Sequence, residues 1–404
     1  MNQNFSKFKQ RIAGFTLFTT ILISANASAE WSIVNLGASY LSGAGDSDAL
    51  AINNSGQVAG VFTPKYSENP KAFLIDLDGE GFTTLGTLSD PGTAFPTDFA
   101  TEINDSGQVV GFSRTVGGRD HAFITGPNGV GIIDLGTLGG LDSAAYGVNN
   151  SGQVVGESYM PGNTSRHAFI TGPNSIGMTD LGTLGGTYSG AGGINDSGQV
   201  AGNSSISGDT ATHAFITGPN GIGMTDLGTL GGTHSFASGI NNFGQVVGAS
   251  TTVDGNRHAF ITGSNGEDMT DLGTMGADFS FAFDINNLGQ AIGIAGFDGC
   301  SYCENSFVYS DGVMVNLSKL DEVISSGWTH LLARDINDHG QIVGYGILHG
   351  VTQAFLLSGA DDKDFFRNYV ETPMIPEPQT YAMLLAGLGL LGFMAQRRKK
   401  FNLS

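Results

Sequence analysis

HAFITGPNGIGMTDLGTLGG, residues 213–232, follows two near-copies of itself, HAFITGPNSIGMTDLGTLGG at 167–186 and HAFITGPNGVGIIDLGTLGG at 121–140. Either the stretch performs chemistry three times or a fold needs the same piece in several places. Spacing decides between these. The phrase INxxGQ, with small variations, recurs at Asn53, Asn104, Asn149, Asn195, Asn241, Asn286 and Asn337, at intervals of 51, 45, 46, 46, 45 and 51 residues. HAF or a relative falls at Lys71, His121, His167, His213, His258, Asn305 and Gln353, and DLG or a relative at Asn35, Thr84, Asp134, Asp180, Asp226, Asp271 and Asn316. Three words, each used seven times, mark a repeat architecture with a unit of about 46 residues.

Within the unit from Phe236 onward, the runs FASGIN, QVVGAS, HAFITG and MTDLGT are short, rich in Val, Ile, Phe and Thr, and bounded by Gly or Asn. That is the strand and hairpin pattern, and no helical apolar period of useful length interrupts it. Four antiparallel strands in such a unit is the size of a β-propeller blade. The chain order adds a second clue. WSIVNLG, from Trp31, is a fourth-strand word with no HAF before it, and the last QAFLLSG has no fourth strand after it. A ring closed by the N-terminal strand satisfies both ends, whereas an open β-solenoid, the alternative, leaves two sheet edges exposed. The expected fold is therefore all-β: a seven-bladed β-propeller of four-stranded blades over residues 30–359, closed by its N-terminal strand, with a linker at 360–375.

Both termini carry addresses. Lys7, Lys9 and Arg11 precede the apolar run GFTLFTTILI and then SANASAE, a secretory signal peptide over residues 1–29 with cleavage expected between Ala29 and Glu30. At the other end, residues 381–395 form an uncharged stretch, expected to be a short transmembrane helix although below the roughly 20 residues that span comfortably. Arg397, Arg398, Lys399 and Lys400 follow it as a cytoplasmic stop. With Pro376, Glu377 and Pro378 just ahead, the tail over 376–404 resembles the PEP-CTERM sorting signal of Gram-negative bacteria. That resemblance implies export through the inner membrane, recognition by an exosortase, transient anchoring, removal of the hydrophobic tail, and delivery to the cell surface or exopolysaccharide matrix.

The whole chain has net charge −20, and with the basic ends set aside residues 30–396 carry ten basic against 37 acidic residues, or −27. Such a surface repels nucleic acid and anionic lipid, which excludes a nucleic-acid partner and confines membrane contact to the tail. It suits cations or neutral partners such as polysaccharide. Cys300 and Cys303, in GFDGCSYCENS, read as a small local disulfide in an exported protein, because the stretch lacks the helix N-terminus of a redox pair and further zinc ligands.

The repeated words read mainly as scaffold. Asn, then Asn or Asp, a variable residue and Gly make a tight hairpin turn. NDSG looks like half a calcium loop and keeps Ca²⁺ as the sole cofactor considered, but the other copies lack the alternating carboxylates such a loop needs. Four histidines at one ring position invite a metal reading that Lys71, Asn305 and Gln353 break, so no metal ligand is assigned. DLGTLGG has no following helix or Lys to hold phosphate. Together the words resemble the HAF repeat of bacterial extracellular proteins, most closely from His121 to Gly276, and this resemblance implies an exported repeat protein without naming a reaction.

Function is expected where repeats differ, on loops of one face. Trp328, His330, His234, Tyr188 and Phe279 are the candidate ligand residues, with Phe95 and Phe281 nearby, since aromatics beside acids suit sugar stacking. Asp321, Glu322, His330 and Asp335 offer acid/base groups, but nothing in the sequence fixes their geometry, and no nucleophile elbow or dinucleotide fingerprint is present, so no catalytic residue is assigned. The expectation is a non-enzymatic binding or structural module, whose partners are the exosortase machinery and an exopolysaccharide or surface protein. The alternative is an extracellular glycan hydrolase or lyase on the same scaffold.

Overall fold

The computed structural model describes residues 31–37, 44–65, 70–77, 81–90, 98–299, 304–359 and 366. The signal peptide with Ala29 and Glu30, Phe95, the Cys300–Cys303 pair, the 381–395 stretch and Pro376, Glu377 and Pro378 all lie outside the described residues. Among the described residues no helix is long and apolar enough to cross a membrane.

Every repeat lays down strands in the order expected from its words. In the fifth these are Gly231–Ile240, Val246–Thr252, Arg257–Ile261 and Thr270–Gly273, all antiparallel. First-strand residues from all the repeats line one central cavity, so the first strands surround an axis and the sheets radiate from it as a propeller. The expected seven four-stranded blades are corrected, however. Five sheets are free-standing four-stranded blades, and the other two repeats share a single eight-stranded sheet spanning Ser143–Val148 to Met224–Asp226. The join is one parallel pairing, Arg166 with Tyr188. Its physical cause is a clamp: Tyr188 Oη donates to Glu157 Oε2 at 3.1 Å while Arg166 Nη1 donates to Glu157 Oε1 at 2.5 Å. The ten-residue strand Gly185–Ile194 is no longer than Gly231–Ile240, whose sheet stays separate, so length alone does not fuse neighbours.

The N-terminal strand Ser32–Asn35 is the outermost member of the last sheet, antiparallel to Val351–Ser358 with Ser32 opposite Ser358 and Asn35 opposite Phe355. Leu36 beside it is fully buried in a cluster that joins Val343, Ala354 and Leu356 of the last repeat to Ile52, Val58, Phe73 and Ile75 of the first. The core is thus made between sheets, not within them. The Phe of every HAF word (Phe73, Phe123, Phe169, Phe215, Phe260, Phe307 and Phe355) is completely buried, each worth about 1.5–3 kcal/mol in area removed from water. The insertion before the last repeat contributes a short helix, Asp321–Ser325, whose Val323 packs with Trp31, Leu317, Leu320, Trp328 and Phe366.

INxxGQ proves to be a clamp as well as a turn. Asn53 Oδ1 accepts from the Ser55 and Gln57 amides, and its Nδ2 donates to Gln57 Oε1 and to the carbonyl of Asn104 in the next repeat. The same inter-repeat bond runs from Asn104 to Asn149, Asn195, Asn241, Asn286 and Asn337, and Asn337 returns to Asn53, all at 2.9–3.1 Å. Asn therefore satisfies buried backbone groups that water cannot reach.

Candidate functional site

Two places bring polar chemistry together: the axial channel and a cleft on the face away from the Asn turns. The channel mouth is ringed by the residue after each clamp Asn. Asn54, Asp105, Asn150, Asp196, Asn242, Asn287 and Asp338 each present a side-chain oxygen to the preceding member's amide, and Asn54 closes the circle on Asp338, at 2.8–3.0 Å. The second oxygens of the three Asp residues accept Asn side-chain amides, so the ring is bonded within itself.

Below the ring, each first strand carries a β-bulge just before its Ile or Val. The residue there is Ala51, Glu102, Gly147, Gly193, Gly239, Asp284 or Asp335, so one half of the channel is glycine and the other carries three carboxyl groups, around a space of about 300 Å³. Glu102 Oε1 accepts the Ile103 amide at 2.9 Å, and Asp335 accepts the Ile336 amide at 2.7 Å and, across the ring closure, the Ile52 amide at 2.6 Å. Burial, then the charge of Asp284, pushes Glu102 up to about 8, against the pull of the Ile103 amide. Asp335 is raised well above the usual carboxylate range by burial, by Glu102 and Asp284, and by a hydrogen bond shared with Asp284. Among the described residues no three His, Cys, Asp or Glu groups are set to hold a metal.

On the opposite face, Phe112, Asp120, Asp142, Tyr146, Glu157, Tyr159 and Arg166 line a cleft of about 190 Å³. Glu157 organises it, held by Arg166 and the Tyr188 hydroxyl. Tyr146 is 37% exposed and is pushed up to about 12 by burial of its hydroxyl and by the neighbouring Glu157 charge. The Arg166 guanidinium sits 5.1 Å from the centroid of the Tyr159 ring. Arg114 pairs with Asp120 at 3.1 Å.

The candidate ligand residues occupy equivalent positions, each six residues before the Ile that ends a first strand, with the exception of Trp328: Tyr188, His234, Phe279 and His330 follow one another round this face. The structure does not gather them at one point. Tyr188 belongs to the Glu157 clamp; His234 Nδ1 accepts the Thr212 amide at 3.1 Å; Phe279 packs beside Gly296; Trp328 is 5% exposed and meets Phe355 edge-on at 6.0 Å. His330, in left-handed backbone with φ 52°, shares a pocket with Trp328, Glu304 and Ser318. Asp321 and Glu322 open the short helix, and neither lines the channel to which Asp335 belongs.

Sequence reasoning missed a pairing between two of its own words. The HAF histidine and the DLG aspartate of one repeat are bonded: His121 with Asp134, His167 with Asp180, His213 with Asp226 and His258 with Asp271, at 2.8–2.9 Å. The signal was available, since where His gives way to Lys71, Asn305 or Gln353 the matching position is Thr84, Asn316 or Asn35, never an acid. The pair pins the short fourth strand, and Asp134 Oδ1 also caps the Gly136 amide. Glu102 with Asp284 was missed because the two lie in different repeats, and the Tyr–Glu157 cleft because Tyr146, Glu157, Tyr159 and Arg166 sit outside the repeated words on three strands that only the pairing brings side by side.

Solved structures share the propeller architecture at low identity, which shows the fold alone. The β-propeller domain of the Trilobed protease from Pyrococcus furiosus superposes with TM-score 0.51 at 9% identity, over 79% of this chain and 97% of that domain. An oligogalacturonate lyase from Vibrio parahaemolyticus gives 0.50 at 11%, over 78% and 90%. A Mycobacterium tuberculosis puromycin-hydrolyzing peptidase gives 0.50 at 13%, over 83% of this chain and 56% of that one. No curated protein matches the chain. Residues 375–399 match the PEP-CTERM protein-sorting motif, which marks an exported protein of the exosortase-sorted kind, carried across the inner membrane of a Gram-negative bacterium through a membrane-anchored transit.

Proposed function

We propose that this chain is a non-enzymatic binding module that holds an extracellular glycan in the tyrosine-lined cleft, and that its final address is the cell surface or exopolysaccharide matrix. The observation that carries the reading is the cleft itself, where Tyr146, Tyr159 and Phe112 surround a buttressed Glu157–Arg166 pair. Aromatic walls stack on the apolar faces of sugars while a fixed polar pair orients hydroxyls. The HAF-type words agree with an extracellular repeat protein. The test is retention on a glycan array by the secreted protein and by its Tyr146→Ala variant: the parent binds and the variant loses at least tenfold. Retention of no glycan by the parent sinks the reading.

Glu102 and Asp335, which face the channel, favour a second reading, a glycan hydrolase or lyase, since their raised carboxyl pKa values suit proton transfer. The oligogalacturonate named for one structural neighbour is a poor fit, because residues 30–396, at −27, repel a polyanion. Turnover of any glycan that is abolished by Glu102→Gln would establish this reading over the first.

A further inference from the structure

We infer that the cleft takes a sugar bearing a free amine, with Asp142 as the counter-charge of its ammonium group; this rests on the glycan reading above. The cleft holds three carboxylates and has two cations beside it. Arg114 is bonded to Asp120 and Arg166 to Glu157, which leaves Asp142 with no ion-pair partner of its own among the described residues. Asp142 Oδ1 accepts the Asp120 amide, at 3.2 Å, and Arg114 lies within its field while committed to Asp120. A uronate would add a fourth negative charge, and a neutral sugar would cover Asp142 without compensating it, which costs desolvation. An ammonium completes the balance. The walls suit it too: Arg166 already rests over the Tyr159 ring, so this surface stabilises a cation against an aromatic face, and the half-exposed Tyr146 offers another. A lysine side chain would satisfy Asp142 but brings no apolar ring face to set against Tyr146 and Phe112.

The test is calorimetric titration of the secreted protein with a glucosamine hexamer, its fully N-acetylated counterpart, an oligogalacturonate and a short polylysine, repeated on Asp142→Asn. Asn keeps the Oδ1 acceptor for Asp120, so the fold is retained, and near-UV circular dichroism checks it. The glucosamine hexamer is expected to bind at least tenfold tighter than the N-acetylated form, and Asp142→Asn to abolish that difference. Equal binding of the two hexamers, untouched by Asp142→Asn, overturns the amine inference and leaves the glycan reading standing. Binding of none of the sugars defeats both. Polylysine binding as tightly as the glucosamine hexamer, and competing with it, overturns the inference in favour of a basic peptide.

Discussion

Replacing Glu102 by Gln should stabilise the protein at neutral pH and do nothing below pH 4. Glu102 faces Asp284 and Asp335 across the channel with no cation in reach among its described contacts, and is held up to about 8 from an ordinary 4.5. The folded state therefore keeps a proton that the unfolded chain releases above pH 4.5. Stability is fully present below that pH, falls by up to about 1.4 kcal/mol per unit as pH rises, and levels off near 8. At pH 7 this amounts to about 3 kcal/mol. Glu102 borders a channel open at its mouth, so solvent screening brings the expected cost to about 1–3 kcal/mol. The amide introduced by Glu102→Gln has no proton to lose and keeps an oxygen for the Ile103 amide. Guanidinium melts of parent and Glu102→Gln from about pH 4 to 9, spanning the two pKa values, read the difference directly. Curves that run parallel across that range would refute the coupling of these carboxyls.

Three further outcomes follow from the packing and one from the sorting tail. Deleting residues 31–36 removes buried Trp31 and Leu36 with the closing strand, and should cost more than about 4 kcal/mol or prevent folding, read by thermal melts; unchanged stability would undo the closure argument. Asn195→Ala breaks the clamp to Gln199 and Asn241 and should cost about 2–4 kcal/mol by chemical denaturation, against under about 1 kcal/mol for His213→Ala at its partly exposed pair. Gly239→Ala places a Cβ 3.0 Å from the Asp284 Cα and should cost about 1–3 kcal/mol, with Gly117→Ala, which is likewise outside the left-handed region and has room for a Cβ, as the control. In an exosortase-competent host, mass spectrometry should find the mature protein lacking the residues after the Pro376–Pro378 motif.

The repeat order, the strands and the ring closure were legible because each repeat writes the same local physics: a turn Asn, a Gly with positive φ, a Phe with nowhere to go but the gap between sheets. The blade count was not, because the tie of Arg166 to Tyr188 depends on Glu157, a residue outside every repeated word. The same limit hid both functional candidates. Glu102, Asp284 and Asp335 each look like ordinary strand residues before Ile; only the bulge and the ring bring them face to face. Inter-sheet serines went unread as well: Ser143, Ser189, Ser235 and Ser280 each accept an Ala amide of the preceding repeat. A sequence also cannot say that Trp328 turns inward while Tyr146, never singled out, turns out.

The pairing of Ser32–Asn35 with Val351–Ser358 also sets a timetable. A partner some 320 residues away is absent until nearly the whole chain has crossed the inner membrane, so the first strand must wait unpaired while the others assemble. Because the closing strand's partner ends at Ser358 and the sorting motif begins at residue 375, every strand of the ring is already across when the tail reaches the membrane, and the ring can close before the tail is processed. Exosortase processing then meets a molecule whose first strand can already be paired and no longer on offer to a neighbouring chain.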